Sequence, residues 1–159
     1  MQIHKTIFLS LCLAVFAFGA EKTAERQIWE KLQKKMEQGI NGQFRLTKHV
    51  AKISKEFVSQ GNFSVSKKDG IIWETEKPFP DLNVFHIEKL QEYFSGDFGE
   101  LQKKFDLKLL ADTLSLFPKE KNVKKIIASA TLLVKGDYLQ SCKIVWANKD
   151  YAFYEFMVP

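Results

Sequence analysis

The side chains that could carry out chemistry are few and stand far apart. Beyond residue 20 the histidines are His49 and His86, and the only cysteine is Cys142. Neither histidine has the spacing of a metalloprotease pair, and a zinc site built on cysteine needs a second thiolate. Glu74 and Glu76 alternate along a strand-like run, a spacing typical of a solvated face. The sequence also has no serine-hydrolase elbow and no glycine-rich phosphate loop, so we predict no enzymatic activity, no metal and no cofactor.

The first 20 residues have the pattern of a secretory signal peptide. Lys5 supplies the positive start, residues 7–18 are apolar except for Ser10, and the small residues Gly19 and Ala20 follow. A membrane anchor is the alternative, but about a dozen apolar residues fall short of the roughly 20 that span a bilayer. We expect residues 1–20 to be removed on export and residues 21–159 to form one domain.

The charge of the chain is mildly basic and spread out. Lys and Arg number 24 against 19 Asp and Glu, a formal net charge of +5 at pH 7. The lysines occur in pairs along the whole sequence rather than in one tail, and export makes nucleic acid a poor partner. An anionic membrane surface, an acidic protein partner and simple solvation remain open, with solvation as the default.

The elements expected to hold the fold begin with a helix over residues 23–38. Ile28, Leu32 and Met36 recur every four residues, Trp29 widens the apolar stripe, and Gly39 can end the helix. The spacing therefore predicts an amphipathic helix with one face against a core.

After Gly42 the apolar period changes from four to two, which is typical of strands with one apolar face. The alternating residues are Phe44, Leu46, Phe57, Phe63, Val65, Ile71 and Trp73. The Asp69-Gly70 pair predicts a hairpin turn, and Pro78 should end the strand that follows. Further along we predict a short strand at 84–87 followed by helical turns, a helix at 98–105 capped by Asp97, and strands near 107–110, 113–117, 128–134, 139–147 and 151–158.

This element order predicts an α+β protein in which helices pack on an antiparallel sheet. Cys142 alternates with Ile144 and Trp146, so we expect it to be buried. One-sided strands so rich in Phe and Trp could fill an ordinary core, or could curl around a helix and leave an apolar cavity. Composition by itself favours the ordinary core.

Residues 61–78 (GNFSVSKKDGIIWETEKP) resemble the signature stretch of the outer-membrane lipoprotein carrier protein (LolA) family, with a Gly-led strand, a basic turn, a strand ending in Trp, and then Pro. Gly42-Gln43-Phe44 is similar to that family's first strand. Residues 95–97, 114–119 and the run after Gly136 are similar to its second half.

The resemblance implies a curved antiparallel sheet, an unclosed β-barrel covered by helices, enclosing an apolar cavity that holds acyl chains of lipoproteins in the periplasm. The expected partners are acylated lipoproteins and an inner-membrane ABC transporter of the lipoprotein-release type. A separate outer-membrane acceptor is left open, and we expect a monomer. A carrier or sensor of another lipid or apolar metabolite is the alternative, and a domain with a fully packed core is the third. On the resemblance Lys67, where the family commonly has Arg, would contact the helical lid. The expected cavity wall consists of Ile28, Leu32, Met36, Phe44, Leu46, Phe63, Val65, Ile71 and Trp73, with Ile71 at its mouth.

Overall fold

The computed structural model describes residues 23–66, 69–85 and 98–159. The predicted signal peptide, Lys67, and the helical turns and Asp97 cap predicted after residue 85 lie outside the described residues. Among the helices of the described ranges, none is long and apolar enough to cross a membrane.

Helix α1 spans Ala24–Gln38 and confirms the first predicted element. The Thr23 hydroxyl oxygen accepts the Arg26 backbone N–H at 3.3 Å, which satisfies one of the free donors of the first turn. Gly39 ends the helix with φ 91°, a conformation that glycine adopts without a steric penalty, and its N–H donates to the Met36 carbonyl. The buried residues of α1 are Trp29 and Leu32.

The predicted strands are present within the described residues, and two short helices separate some of them; the strand predicted at 84–87 is found at Asp81–Phe85, and residues 86 and 87 lie outside the described part of the chain. The strands are β1 (Ile40–Val50), β2 (Lys55–Ser66), β3 (Gly70–Lys77), β4 (Asp81–Phe85), β5 (Phe105–Leu110), β6 (Thr113–Pro118), β7 (Ile127–Lys135), β8 (Tyr138–Trp146) and β9 (Tyr151–Met157). Helix α2 spans Phe98–Lys104, helix α3 spans Lys121–Lys124, and a 3-10 turn, η1, spans Ala51–Ile53. The predicted hairpin turn is confirmed at Gly70, whose φ is 80°.

The nine described strands form one antiparallel sheet in the order β4-β3-β2-β1-β9-β8-β7-β6-β5. Strands β1–β4 make one meander and strands β5–β9 make a second. The pairing of β1 with β9 joins the two meanders into one sheet, so the first and last strands lie in its interior. In the described part of the chain β4 and β5 are not paired with each other, so the sheet is open.

The predicted helix at 98–105 is one residue too long, because Phe105 begins β5 instead. Phe105 pairs with Pro118 of β6 in an antiparallel register, and burial then alternates along β5. Phe98 and Leu101 are the buried residues of α2. Pairing with β6 therefore overrides the four-residue spacing of Leu101 and Phe105.

The apolar residues of successive strands share one face of the sheet, because cross-strand partners point to the same side. The register aligns Leu107 with Leu116 and Leu114 with Leu132 in the second meander. It aligns Phe63 with Trp73 in the first. We call this side the apolar face.

Two clusters of buried side chains divide the apolar face. The helix-side cluster contains Trp29, Phe98, Leu101, Leu114 and Leu116, with Ile28, Phe105, Leu107, Leu109, Ala130 and Leu132 packed around them. The aromatic cluster contains Phe44, Leu46, Phe63 and Ala152, with Ile40, Val65, Trp73, Trp146, Tyr154, Phe156 and Val158 packed around them. Phe44 and Leu114 are fully buried, one in each cluster, and burying a side chain of this size contributes about 1.5–3 kcal/mol.

Candidate functional site

The aromatic cluster brings five aromatic rings from four adjacent strands into contact. The ring centroids of Phe44 and Trp73 are 3.9 Å apart, and those of Trp73 and Tyr154 are 5.5 Å apart in an edge-to-face arrangement. Phe63 meets Phe156 edge-on at 5.3 Å. Such pairs contribute about 0.5–1.5 kcal/mol beyond the area they bury. The contacts between aromatic rings on the apolar face are therefore concentrated on β3, β2, β1 and β9.

A glycine in β2 allows the rings of β1 and β3 to meet. Phe44 of β1 pairs with Gly61, which leaves β2 without a side chain beside that ring, so Trp73 of β3 reaches Phe44 across the intervening strand. Gly61 is also required by its own backbone position. A Cβ atom there would lie 1.9 Å from the Glu74 carbonyl oxygen at an irregular point in the β2–β3 register.

The cluster is only partly closed from solvent. Phe44, Leu46 and Phe63 are buried, whereas Val65, Ile71 and Trp73 are half-buried. Tyr154 and Phe156 of β9 are also half-buried. Large apolar side chains thus remain accessible on the same face as the buried residues Phe44, Leu46 and Phe63. A surface of this kind can receive an apolar ligand.

The surroundings of the aromatic cluster favour the neutral forms of the Cys142 thiol and the Tyr154 hydroxyl. Cys142 of β8 pairs with Tyr154 of β9, and burial raises the pKa of the Cys142 thiol to about 11. Burial also raises the pKa of the Tyr154 hydroxyl, with a smaller contribution from the Cys142 side chain. Cys142 is partly buried, in the strand position that the sequence predicted.

The structure places the predicted wall residues in two groups. Phe44, Leu46, Phe63, Val65 and Trp73 all belong to the aromatic cluster. Ile71 lies beside it, since it pairs with Val65. From the helix, Ile28 packs on the helix-side cluster, Leu32 is buried and Met36 is half-buried.

A different concave region lies mainly on the opposite side of the sheet. It is an open groove of about 650 Å³, lined by Asn41, Gly42, Gln43, Asn62, Phe63, Ser64, Ile72, Glu74, Met157, Val158 and Pro159. Phe63 is the one predicted wall residue among them. The groove presents several polar side chains, so it does not correspond to the apolar cavity expected from the sequence.

Polar side chains also gather on the opposite face near the end of β1. The rings of His49 and Tyr151 stack with centroids 4.9 Å apart, and the Lys143 ammonium lies 4.4 Å from the Tyr151 centroid. The Tyr151 hydroxyl donates to Glu56, and this hydrogen bond raises the pKa of Tyr151. Across the described ranges, His, Cys, Asp and Glu do not form groups of three that could hold a metal ion.

Sequence reasoning missed the contribution of β9 and β8 to the site. Ala152, Tyr154 and Phe156 alternate along β9, and Trp146 ends β8, so the period-two signal was present. What the sequence does not contain is the pairing of β9 with β1, which brings these residues beside Phe44. Trp29 was predicted to widen the apolar stripe of the helix, but its place among the buried residues of the helix-side cluster was not predicted.

Comparison with known proteins adds no assignment. No protein-family model matches the chain, and no curated protein matches it.

Proposed function

We propose that this protein is a periplasmic chaperone that binds the acyl chains of lipoproteins on its apolar face and carries them from the inner membrane to the outer membrane. The observation that carries the proposal is the aromatic cluster, in which half-buried Trp73, Tyr154 and Phe156 stand over fully packed Phe44. The resemblance of residues 61–78 to the lipoprotein-carrier signature points to the same strands.

The path of α1 supports a sheet that curls around its helix. α1 contacts β2, β5 and β8. β2 and β5 stand six positions apart in the sheet order, about 29 Å if the sheet were flat at roughly 4.8 Å per strand. The 15 residues of α1 extend only about 22 Å. Curling would turn the apolar face into the wall of an apolar cavity beneath the helix.

Acyl-chain binding on this face would need no covalent chemistry. Removing a methylene group from water gains about 0.8 kcal/mol, so a saturated chain would be held strongly against water. The same gain is available at any other apolar site, so the cargo can pass to an acceptor of higher affinity without an energy source in the periplasm. An inner-membrane ABC transporter would supply the cargo and the outer membrane would receive it.

A displacement experiment tests the proposal. An apolar dye whose fluorescence rises out of water should bind the purified protein saturably, and an acylated peptide should displace it. The same peptide without its acyl chain is the control and should not compete. Absence of saturable dye binding, or equal competition by both peptides, would contradict acyl-chain binding on the apolar face.

A further inference from the structure

Three connections at one end of the sheet lie outside the proposed acyl-chain site. We call this end the basic end, and it consists of residues 51–57, 120–126 and 147–150. These are η1 with the start of β2, α3 with the link to β7, and the turn between β8 and β9. The opposite end of the sheet carries the turns β5–β6 and β7–β8.

Hydrogen bonds hold these loops together as one surface. The Ala51 N–H donates to the Asp150 carboxylate at 2.8 Å, which ties η1 to the β8–β9 turn. The Ala147 N–H donates to the Ile126 carbonyl at 2.9 Å, which ties the end of β8 to the link before β7. The three segments are therefore neighbours in the fold although they are far apart in sequence.

Large apolar side chains stand exposed on the basic end. Ile53 is 54% exposed, Phe57 is 53% exposed and Ile126 is 62% exposed. Ile53 belongs to η1 and Ile126 to a turn, so both lie on connections that project beyond the strands. Single exposed apolar residues are ordinary, but three at one end of a sheet, two of them on linked loops and Phe57 near the start of β2, form a distinct surface.

Lysines lie on the same segments as these apolar side chains. The basic end contains six lysines, all exposed: Lys52, Lys55, Lys121, Lys124, Lys125 and Lys149. None of the six forms an ion pair with another residue in the ranges that the structure describes.

The three acidic residues of the basic end cancel half of the formal charge of its six lysines. The Asp150 carboxylate accepts the Ala51 N–H and an Asn148 side-chain N–H. Glu56 accepts the Tyr151 hydroxyl. Glu120 is exposed immediately before α3. The surface as a whole keeps a formal net charge of +3.

We propose that the basic end docks on the surface of a bilayer that contains anionic phospholipids. Lysines are attracted to the negative headgroup layer, and Ile53 and Ile126 enter the boundary between headgroups and acyl chains. This combination of isolated apolar side chains on projecting loops with unpaired lysines on the same segments suits a lipid interface, because the fluid headgroup layer accepts apolar tips wherever they stand. An acidic protein partner would be matched by the lysines but would need a complementary pocket for each exposed isoleucine.

The proposal does not depend on acyl-chain binding, because its residues lie outside the aromatic cluster. A carrier that docks through this end would bring the adjoining apolar face to the membrane, since Phe57 stands on β2 in the same alternation as Phe63. Docking and cargo binding can therefore be measured separately in the same protein.

Vesicle sedimentation tests the docking surface. The full-length gene is expressed and every variant is purified in the form that the cell exports, so all variants share the same N-terminus. The wild type should bind vesicles of about three parts phosphatidylcholine to one part phosphatidylglycerol at least about tenfold more tightly than vesicles of phosphatidylcholine alone. Raising the salt to about 0.5 M should remove most of this difference. Equal binding to the two vesicle types would overturn the proposal.

Matched variants separate this surface from general stickiness. The double variant Ile53→Ser/Ile126→Ser should weaken binding to anionic vesicles at least about tenfold, whereas Leu110→Ser, at a residue 73% exposed on the opposite end, should bind like the wild type. Lys124→Gln/Lys125→Gln should also weaken binding, and Lys108→Gln/Lys135→Gln, with the same change of charge elsewhere, should have a smaller effect. The thermal transition of each variant checks its folding.

Two results would assign the surface differently. If the variants of the basic end and their controls bind anionic vesicles equally, the docking surface lies elsewhere and the proposal is wrong. If the wild type ignores anionic vesicles but binds immobilised polyglutamate in a manner that Lys124→Gln/Lys125→Gln weakens, the partner is an acidic polypeptide and the membrane proposal is wrong. Should Ile53→Ser/Ile126→Ser fail to fold, Lys124→Gln/Lys125→Gln against Lys108→Gln/Lys135→Gln still locates the surface, because all four lysines are exposed; equal binding by these two charge variants would overturn the proposal.

Discussion

At the scale of single residues, Gly61 is the position where a small change should have the largest effect on folding. An alanine Cβ there would lie 1.9 Å from the Glu74 carbonyl oxygen, and neither backbone can move without disturbing the β2–β3 register. We expect Gly61→Ala to lower the free energy of unfolding by about 2 kcal/mol or more, measured by chemical denaturation.

Gly136 provides the matched control for Gly61. It has φ 62°, and a Cβ atom there would meet nothing within 4 Å. Gly136→Ala should therefore cost only the conformational penalty of the left-handed region, about 1–2 kcal/mol, with no distortion of the sheet. If Gly61→Ala lowers the free energy of unfolding less than Gly136→Ala does, the backbones of β2 and β3 at Gly61 leave room for a Cβ atom, contrary to the 1.9 Å approach.

Cys142 should react slowly with thiol reagents. Its pKa of about 11 compares with 9.0 for an ordinary thiol, so at about pH 8 the thiolate is roughly 100-fold scarcer. Because a thiolate of higher pKa is also the stronger nucleophile, we expect alkylation to slow by about tenfold or more. The same protein in guanidinium chloride is the control and should react at the ordinary rate. Because the folded pKa is the higher one, the stability gained by burying the neutral thiol is full below about pH 9 and is lost as the pH rises through about 11. Alkylation of the native protein at the denatured rate would show that the thiol is accessible.

At the scale of elements, β3 offers a direct comparison of the two faces of the sheet. Ile71 lies on the apolar face beside Val65, and Ile72, its neighbour, lines the groove on the other face. Both side chains are half-buried, so a carboxylate at either position can reach water and both variants should fold.

We expect Ile71→Glu to weaken acyl-chain binding at least about tenfold, because an acyl chain beside it would desolvate a charge. Ile72→Glu should bind like the wild type. Dye displacement measures the affinity and the thermal transition checks the fold. If only Ile72→Glu loses acyl-chain binding, the ligand site lies on the opposite face of the sheet. If Ile71→Glu fails to fold, Ile71 belongs to the hydrophobic core.

Local signals were sufficient for most elements but not for their junctions. The Gly39 stop and the Asp69-Gly70 turn are each encoded within a few residues, and both were predicted. The Thr23 cap is equally local, but the predicted helix began at Thr23 and the cap was not predicted. Phe105 fits a helix through its spacing from Leu101 and a strand through its spacing from Leu107. Only the pairing with Pro118 decides between them, and a partner in another strand is not visible in the local pattern.

At the scale of the whole molecule, the pairing of β1 with β9 organises the fold and joins residues about 110 positions apart, such as Phe44 and Phe156. Period-two alternation predicts which residues of a strand share a face, but it does not state which strands are neighbours. The wall residues on β1, β2 and β3 were therefore predictable from one local meander. Tyr154, Phe156 and Trp146 could not be placed beside them, because the contact that brings them there is non-local.

The central claim is that the apolar face carries an acyl chain belonging to a lipoprotein, and mass spectrometry of the protein purified from the periplasm tests it most directly. Native spectra should contain a complex of one chain with one acylated polypeptide, and an organic extract of the same sample should release that acylated species. Trp73→Ala, which removes a ring from the aromatic cluster, should carry less cargo while Leu110→Ser carries the normal amount. Recovery of a free lipid instead would keep the apolar face as a binding site but contradict a lipoprotein cargo. Recovery of a folded protein with no acyl-bearing species, from cells that are exporting lipoproteins, would contradict the claim itself.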